Sequence, residues 1–200
     1  MKRSLGLGLL AAAALLAPRF ASADDAAGGS PLRAEIVANM IDAGSKVEEL
    51  AGAVPEKKYA WRPMKGVRSF GEVCLHVCQA NYLIGMFAGA TPPVAKEDLM
   101  KMDKMTADKA KIAQMLKDSY AFASKVISDT PDSDLDTMVD FFGNKMTKRS
   151  MFLVLAAHSH EHLGQAIAYS RSNGIVPPWT AREMEAAKKA AAEKKNGSGM

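Results

Sequence analysis

The sequence predicts an all-α four-helix bundle, and three observations support this fold class. Four long segments repeat apolar residues at the spacing of an amphipathic helix. Capping residues, prolines and glycines separate these segments in the order expected of helix starts and stops. No group of segments alternates apolar and polar residues often enough to predict a sheet that could form a core. Four long helices without a convincing set of strands are typical of a bundle.

The first predicted helix covers residues 31–53 and follows a polar, glycine-containing leader, residues 24–30, that we expect to be flexible. Ser30 followed by Pro31 has the form of an N-cap and a proline at the first helical position. Pro55 ends the segment, since the residue before a proline avoids the helical conformation. The candidate core positions are Leu32, Ile36, Met40, Val47 and Leu50.

The second predicted helix begins near Phe70 and ends by Gly89. Ser69 and Glu72 have the spacing of a capping box, in which serine and glutamate satisfy each other's backbone N–H groups. Helical spacing gives this segment an apolar stripe of Val73, Val77, Ala80, Ile84 and Phe87.

The third predicted helix covers about 106–128, and the fourth begins near Thr147 and ends at Asn173-Gly174, where a left-handed cap is favoured. Between them, the sequence predicts a turn-rich break and a short extended excursion over 138–146 around Gly143-Asn144. The fourth helix has an inward stripe that contains histidines as well as apolar residues. This stripe consists of Met151, Phe152, Leu155, His158, His162, Ala166 and Tyr169.

The N-terminus predicts export. Lys2 and Arg3 precede an apolar run, residues 5–16, and Ala21-Ser22-Ala23 has the small-residue pattern of a cleavage site. Residues 1–23 are therefore expected to be a signal peptide, cleaved after Ala23, and the product to be periplasmic or secreted. The run is too short for a permanent membrane anchor, and no later segment is apolar enough to span a membrane.

Charge and domain organisation narrow the function classes. The full chain has a net charge of +4, but without residues 1–23 it has 23 basic and 22 acidic residues. This balance, with no basic face, argues against nucleic acid as a partner.

Residues 31–180 are predicted to form the bundle, and residues 181–200 a charged tail rich in alanine, lysine and glutamate.

Three of the four histidines are predicted to face one another in the core. His158 and His162 are four residues apart, so they stack on one helical face, whereas His160 points away. His76 lies within the apolar stripe of the second helix. Three imidazoles with an open fourth position suit Zn²⁺, Ni²⁺ or Fe²⁺. The alternative is that the histidines are packed core residues with no ligand.

Two further residue types have competing interpretations. Glu161 lies beside His162 and is a candidate general base, although a solvated surface glutamate is the simpler interpretation. Cys74 and Cys78 could form a redox pair, but two small residues packed beside the core explain them better.

The stretches from His158 to Gln165 and from Tyr169 to Pro178 form a specific pattern, to which Trp61-Arg62-Pro63, Ser69 to Val73 and His76 add. With these residues, the region from about Pro31 to Trp179 resembles the DinB-like (DinB/YfiT) metalloenzyme superfamily. The resemblance implies a four-helix bundle with a metal held by His76, His158 and His162, the same residues that helical rotation selects. It also allows for a homodimer formed through bundle faces.

The leading functional hypothesis is an exported, metal-dependent enzyme acting on a small molecule. The resemblance implies a thiol-dependent transferase, and a hydrolase-like enzyme is the other reaction class considered. Three imidazole ligands make Zn or Ni the expected metal, with Fe or Mn as alternatives. A non-catalytic, exported metal-binding or stress-associated bundle is the competing hypothesis. A helical interaction module with packed histidines is the third.

Overall fold

Six helices and one β-hairpin make up the computed structural model, which describes residues 31–105 and 108–197. The helices are α1 (Pro31–Ala53), α2 (Phe70–Phe87), α3 (Lys96–Leu99), α4 (Lys109–Asp129), α5 (Lys148–Ser172) and α6 (Pro178–Gly197). Helices α1, α2, α4 and α5 form the bundle, which confirms the predicted all-α fold class. The predicted signal peptide and leader lie outside the described residues, as do the last three residues of the predicted tail.

The core lies between four helices that pack in a ring. Helices α1 and α2 each pack against both α4 and α5. Large side chains from all four helices fill the interior and are almost completely buried; they include Met40, Leu50, Phe70, Leu116 and Phe152. Each contributes about 1.5–3 kcal/mol through removal from water. Among the described helices, none combines the length and the apolar character needed to cross a membrane.

Helix α2 begins at the predicted capping box. The Ser69 hydroxyl accepts a hydrogen bond from the Glu72 N–H at 3.3 Å, and the Glu72 carboxylate accepts one from the Ser69 N–H at 2.7 Å. The Arg62 guanidinium lies 3.2 Å from the same carboxylate. These contacts fix the first turn of α2 and therefore the direction in which the later side chains of that helix point.

Helix α2 is buried over a wider face than its apolar stripe predicts. It is covered by α4, by α5 and by the segment around Met102, so positions outside the stripe are enclosed as well. Cys74 and Cys78 are free thiols with no exposed surface. Burial raises the pKa of both thiols, that of Cys78 to about 12. Their surroundings agree with the interpretation that they are packed core residues.

The segment between α2 and α4 contains structure that the sequence did not reveal. Helix α3 and a single 3-10 turn, Met102–Lys104, bury Leu99 and Met102 against α2. Helix α4 begins at Lys109, not near residue 106 as predicted, because the Asp108 carboxylate accepts a hydrogen bond from the Lys111 N–H at 2.8 Å and caps the helix there. Residues 106 and 107 lie outside the described part of the chain.

The predicted extended excursion is a short antiparallel hairpin of β1 (Met138–Phe141) and β2 (Asn144–Thr147), with Met138 opposite Thr147. Its two-residue turn is Phe142-Gly143, one position earlier than predicted. Both turn residues have positive φ, 53° and 84°, as a tight hairpin turn requires. The hairpin leads directly into the N-cap of α5, Thr147.

Helix α5 begins and ends where the sequence predicts. The Thr147 hydroxyl accepts a hydrogen bond from the Ser150 N–H at 3.1 Å, and Gly174 follows the helix with a φ of 72°. Helix α6 then begins at Pro178, so the predicted boundary between bundle and tail falls inside this helix. The Arg182 guanidinium pairs with the Glu49 carboxylate of α1 at 2.9 and 3.3 Å.

Candidate metal centre

Three histidine side chains converge between α2 and α5. His76 comes from α2, and His158 and His162 come from successive turns of α5. The Nε2 atom of His158 lies 3.3 Å from Nε2 of His76 and 3.0 Å from Nε2 of His162. The candidate ligand atoms of all three lie within 4.8 Å of one another. Two metal–nitrogen bonds of about 2.0–2.1 Å that meet at a tetrahedral angle place the two ring nitrogens about 3.3 Å apart. The observed spacing is therefore compatible with a bound metal ion.

Local structure explains why these three histidines meet and the fourth does not. His158 and His162 are one turn apart on the face of α5 that packs against α2. His160 lies on another face, where it is exposed and its Nε2 is 2.8 Å from the Asn39 side-chain oxygen. The predicted direction of His160 is therefore confirmed, as is the convergence of the other three.

Glutamine residues hold two of the imidazoles in one tautomer. The Gln165 side-chain N–H donates to the Tyr169 hydroxyl at 3.0 Å, which turns the Gln165 oxygen toward His162 Nδ1 at 2.8 Å. That oxygen can only accept, so Nδ1 of His162 carries the proton. Its Nε2 then presents a lone pair to the centre of the cluster, as metal coordination requires.

His76 has a matching arrangement on α2. The Gln79 side-chain N–H donates to the Leu99 carbonyl at 2.8 Å, and the Gln79 oxygen lies 3.4 Å from His76 Nδ1. Both glutamines follow their histidine by three residues, so each lies on the same helical face one turn later. His158 differs, because its Nδ1 atom is buried and has no hydrogen-bond partner within the described chain.

The surroundings favour neutral imidazoles. Burial lowers the pKa of His76, with a smaller contribution from the positive charge of Arg68. Burial and the neighbouring His162 and His76 lower the pKa of His158 to about 3. Both rings are therefore neutral at pH 7, with a proton on one nitrogen and a lone pair on the other. A metal ion binds only the neutral ring, so it does not have to displace a proton from either of them.

No sequence pattern singled out Gln79. Tyr169 was predicted only as part of the inward stripe of the fourth helix, and Gln165 belongs to the stretch that carries the family resemblance. The signal that could have found the glutamines is a repeated spacing, since His76 to Gln79 and His162 to Gln165 are both His-x-x-Gln. Tyr169 is the hydrogen-bonding partner of Gln165, and its ring packs edge-on against Trp61 with 5.3 Å between centroids. Glu161 is exposed on α5, and its role as a general base stays a prediction.

We expect the Gln165→Leu variant to bind metal about 10- to 100-fold more weakly than the unmodified protein. The substitution removes the acceptor that fixes the His162 tautomer, while a side chain of similar size keeps the packing. Competition with a chromophoric chelator measures the affinity. Gln114→Leu is the matched control, because Gln114 is exposed and its side-chain N–H donates to the exposed Asp118 of its own helix at 2.7 Å. Equal affinities of the two variants would contradict the expectation.

The fold and the site together define a class of protein, an all-α bundle with a three-histidine centre that can hold a metal ion. Residues 40–166 match the DinB superfamily. This range is more than half of the chain and includes all three histidines. The protein therefore belongs to the DinB superfamily, as the resemblance predicted.

Solved structures agree with this assignment at the level of the fold. A DinB-like protein from Bacillus cereus ATCC 10987 superposes with a TM-score of 0.63 and 19% sequence identity, over 72% of this chain and 93% of the other. A DinB-like protein from Bacillus subtilis superposes with a TM-score of 0.56 and 18% identity, over 71% and 94% of the two chains. No curated protein matches the chain.

Proposed function

We propose that this protein binds one divalent metal ion through His76, His158 and His162 and acts as a metal-dependent enzyme on a small molecule. The observation that carries the proposal is the convergence of three Nε2 atoms at 3.0 and 3.3 Å. An N–H···N hydrogen bond between packed histidines would explain one of these contacts. It would not explain both, because His158 Nε2 has one proton at most and cannot donate it to His76 and His162 together, whereas a metal ion accepts a lone pair from all three. Imidazole ligands favour Zn²⁺ or Ni²⁺, with Fe²⁺ or Mn²⁺ as alternatives.

The side chains around the centre have distinct tasks in this proposal. The three histidines bind the ion, and Gln79 and Gln165 keep the protons of two of them at Nδ1. When bound, a divalent ion with an open coordination position supplies Lewis acidity and lowers the pKa of the molecule it coordinates. A cleft of about 640 Å³, lined in part by Gln165, offers space for a substrate beside the histidines.

Export is a separate part of the proposal. The charged, apolar and small-residue regions within residues 1–23 support secretion to the periplasm or the medium. N-terminal sequencing of the protein from a bacterial host tests this part. A chain that starts at Asp24 supports it, and a chain that keeps residues 1–23 contradicts it.

Elemental analysis after equilibration with Zn²⁺, Ni²⁺, Fe²⁺ or Mn²⁺ and removal of free metal tests the metal site. We expect about one equivalent of at least one metal, since one three-histidine cluster occurs within the described residues. A folded protein that retains none of the four metals would overturn the proposal. The histidines would then be core residues.

A second measurement separates an enzyme from a metal-binding protein without turnover. The Co²⁺-loaded protein is titrated with imidazole and with 2-mercaptoethanol, and its visible absorption spectrum is followed. A spectral change at saturating ligand means that a coordination position is open, as catalytic sites require. An unchanged spectrum means a closed set of ligands and favours the binding protein.

A further inference from the structure

The cleft beside the histidine centre is rich in charged side chains. It lies between the segment that precedes α2, the 3-10 turn at Met102–Lys104 and the Gln165 side chain of α5. Gln165 contacts His162 directly, so the cleft and the centre share a wall. A volume of about 640 Å³ is within the range that holds small molecules. The charged residues that line it are Arg62, Arg68, Glu72, Asp103 and Lys104.

Arg62 and Glu72 are already engaged with the protein. Arg62 donates to the Val67 carbonyl at 2.9 Å and pairs with the Glu72 carboxylate at 3.2 Å. Glu72 also accepts the Ser69 N–H in the capping box. These two residues therefore shape one wall of the cleft, and moving either one would disturb the start of α2.

Arg68 is less engaged. Within the part of the chain that the structure describes, its ion pair joins Nε to the Asp103 carboxylate at 3.7 Å, which is longer than a hydrogen bond. Its side chain is 41% exposed, and neither of its two terminal Nη groups makes a hydrogen bond to another described residue. The planar fork of a guanidinium matches the two oxygens of a carboxylate. Lys104 adds a second positive charge to the same cleft.

We propose that the cleft binds the carboxylate group of a small organic monoanion, with Arg68 as the anchoring residue. The inference rests on the proposed function, since it places the rest of the substrate toward His76, His158 and His162. Three positive and two negative side chains line the cleft, which leaves a net charge of +1. In the metal-free protein, a single negative charge balances this lining better than the two charges of a phosphate monoester do. A bound divalent ion adds its own two positive charges, so the selection of a monoanion is a property of the side chains alone.

The experiment uses the full-length protein loaded with Co²⁺ and, in parallel, the metal-free protein. Both are titrated with benzoate, benzamide and inorganic phosphate, with calorimetry to measure binding and visible absorption to report on the ion. We expect benzoate to bind more tightly than benzamide in both forms, and more tightly than phosphate in the metal-free protein. Arg68→Gln should weaken benzoate binding about 10-fold or more, and Arg68→Lys should weaken it less, since a lysine keeps the charge but not the planar fork.

Lys65→Gln is the matched control. It removes one positive charge from the same segment, but Lys65 is exposed and does not line the cleft. Its benzoate affinity should equal that of the unmodified protein. Circular dichroism and cobalt content are measured for every variant, so that a loss of folding or of metal is not taken for a loss of the anchor.

Three outcomes would overturn the inference. Equal benzoate affinity in Arg68→Gln and the unmodified protein would mean that the carboxylate only coordinates the ion. Tighter binding of phosphate than of benzoate to the metal-free protein would mean that the cleft selects a dianion. Absence of benzoate binding to cobalt-loaded protein would reject the carboxylate site and leave the proposed metal site intact. Conversely, benzoate binding that depends on Arg68 in a protein unable to hold Co²⁺ would support the cleft and reject the metal enzyme.

Discussion

Replacement of His158 by alanine is expected to lower metal affinity by more than 100-fold. Loss of a residue that merely orients a ligand costs about 10- to 100-fold, and His158 is proposed to be a ligand itself. It also occupies the middle of the cluster, because its Nε2 is the atom that lies close to both of the other histidines. Elemental analysis after gel filtration, combined with chelator competition, measures the effect.

His160→Ala is the control for this experiment. It removes an imidazole from the same helix, two residues away, but one that is exposed and contacts Asn39 of α1. The control should keep one equivalent of metal at unchanged affinity. Equal metal content in the two variants would place the ion elsewhere and contradict the three-histidine site. Thermal unfolding of both metal-free variants shows whether His158→Ala has weakened the fold itself.

Replacement of Gly44 by valine is expected to lower the free energy of unfolding by about 3 kcal/mol or more. A Cβ atom at this position of α1 would lie 2.7–2.9 Å from three ring atoms of Tyr120. The Tyr120 side chain is only 2% exposed, so its ring has no free space into which it can move. The close approach of α1 and α4 therefore depends on a glycine. Urea denaturation of the metal-free protein measures the loss.

Gly52→Val is the matched variant, because it makes the same chemical change in the same helix. A Cβ atom at Gly52 has no neighbour within 4 Å, so this variant carries the unfolded-state effect of the substitution without the steric clash. We expect the stability of Gly52→Val to stay within about 0.5 kcal/mol of the parent. Similar stabilities for the two variants would mean that the Tyr120 ring yields to the new side chain.

Most of the fold could be predicted from the sequence because the helix signals are local. Ser69, Thr147 and Gly174 mark helix ends through their own chemistry and act as predicted. The start of α4 and the existence of α3 could not be predicted in the same way. The region between α2 and α4 has weak periodicity, and contacts such as that of Gln79 with the Leu99 carbonyl join residues 20 positions apart.

The candidate site was predictable in its three histidines but not in its surroundings. The four-residue spacing of His158 and His162 determines their shared face, whereas the approach of His76 depends on how α2 packs against α5. Each imidazole meets a glutamine oxygen because the glutamine N–H group is bound elsewhere. That N–H group donates to the Leu99 carbonyl in Gln79 and to the Tyr169 hydroxyl in Gln165. The charged cleft is assembled from three separate segments, so no single stretch of sequence reveals it.

The two buried thiols of α2 can report on transient local opening of this helix. Cys74 and Cys78 are free and fully enclosed, so a thiol reagent can reach them only when the helix opens. They lie on either side of His76 in the chain, which means that their labelling rate reports on the helix that carries a candidate ligand. Slower labelling in the presence of Zn²⁺ would show, without any substrate, that metal binding at the three histidines holds this helix closed.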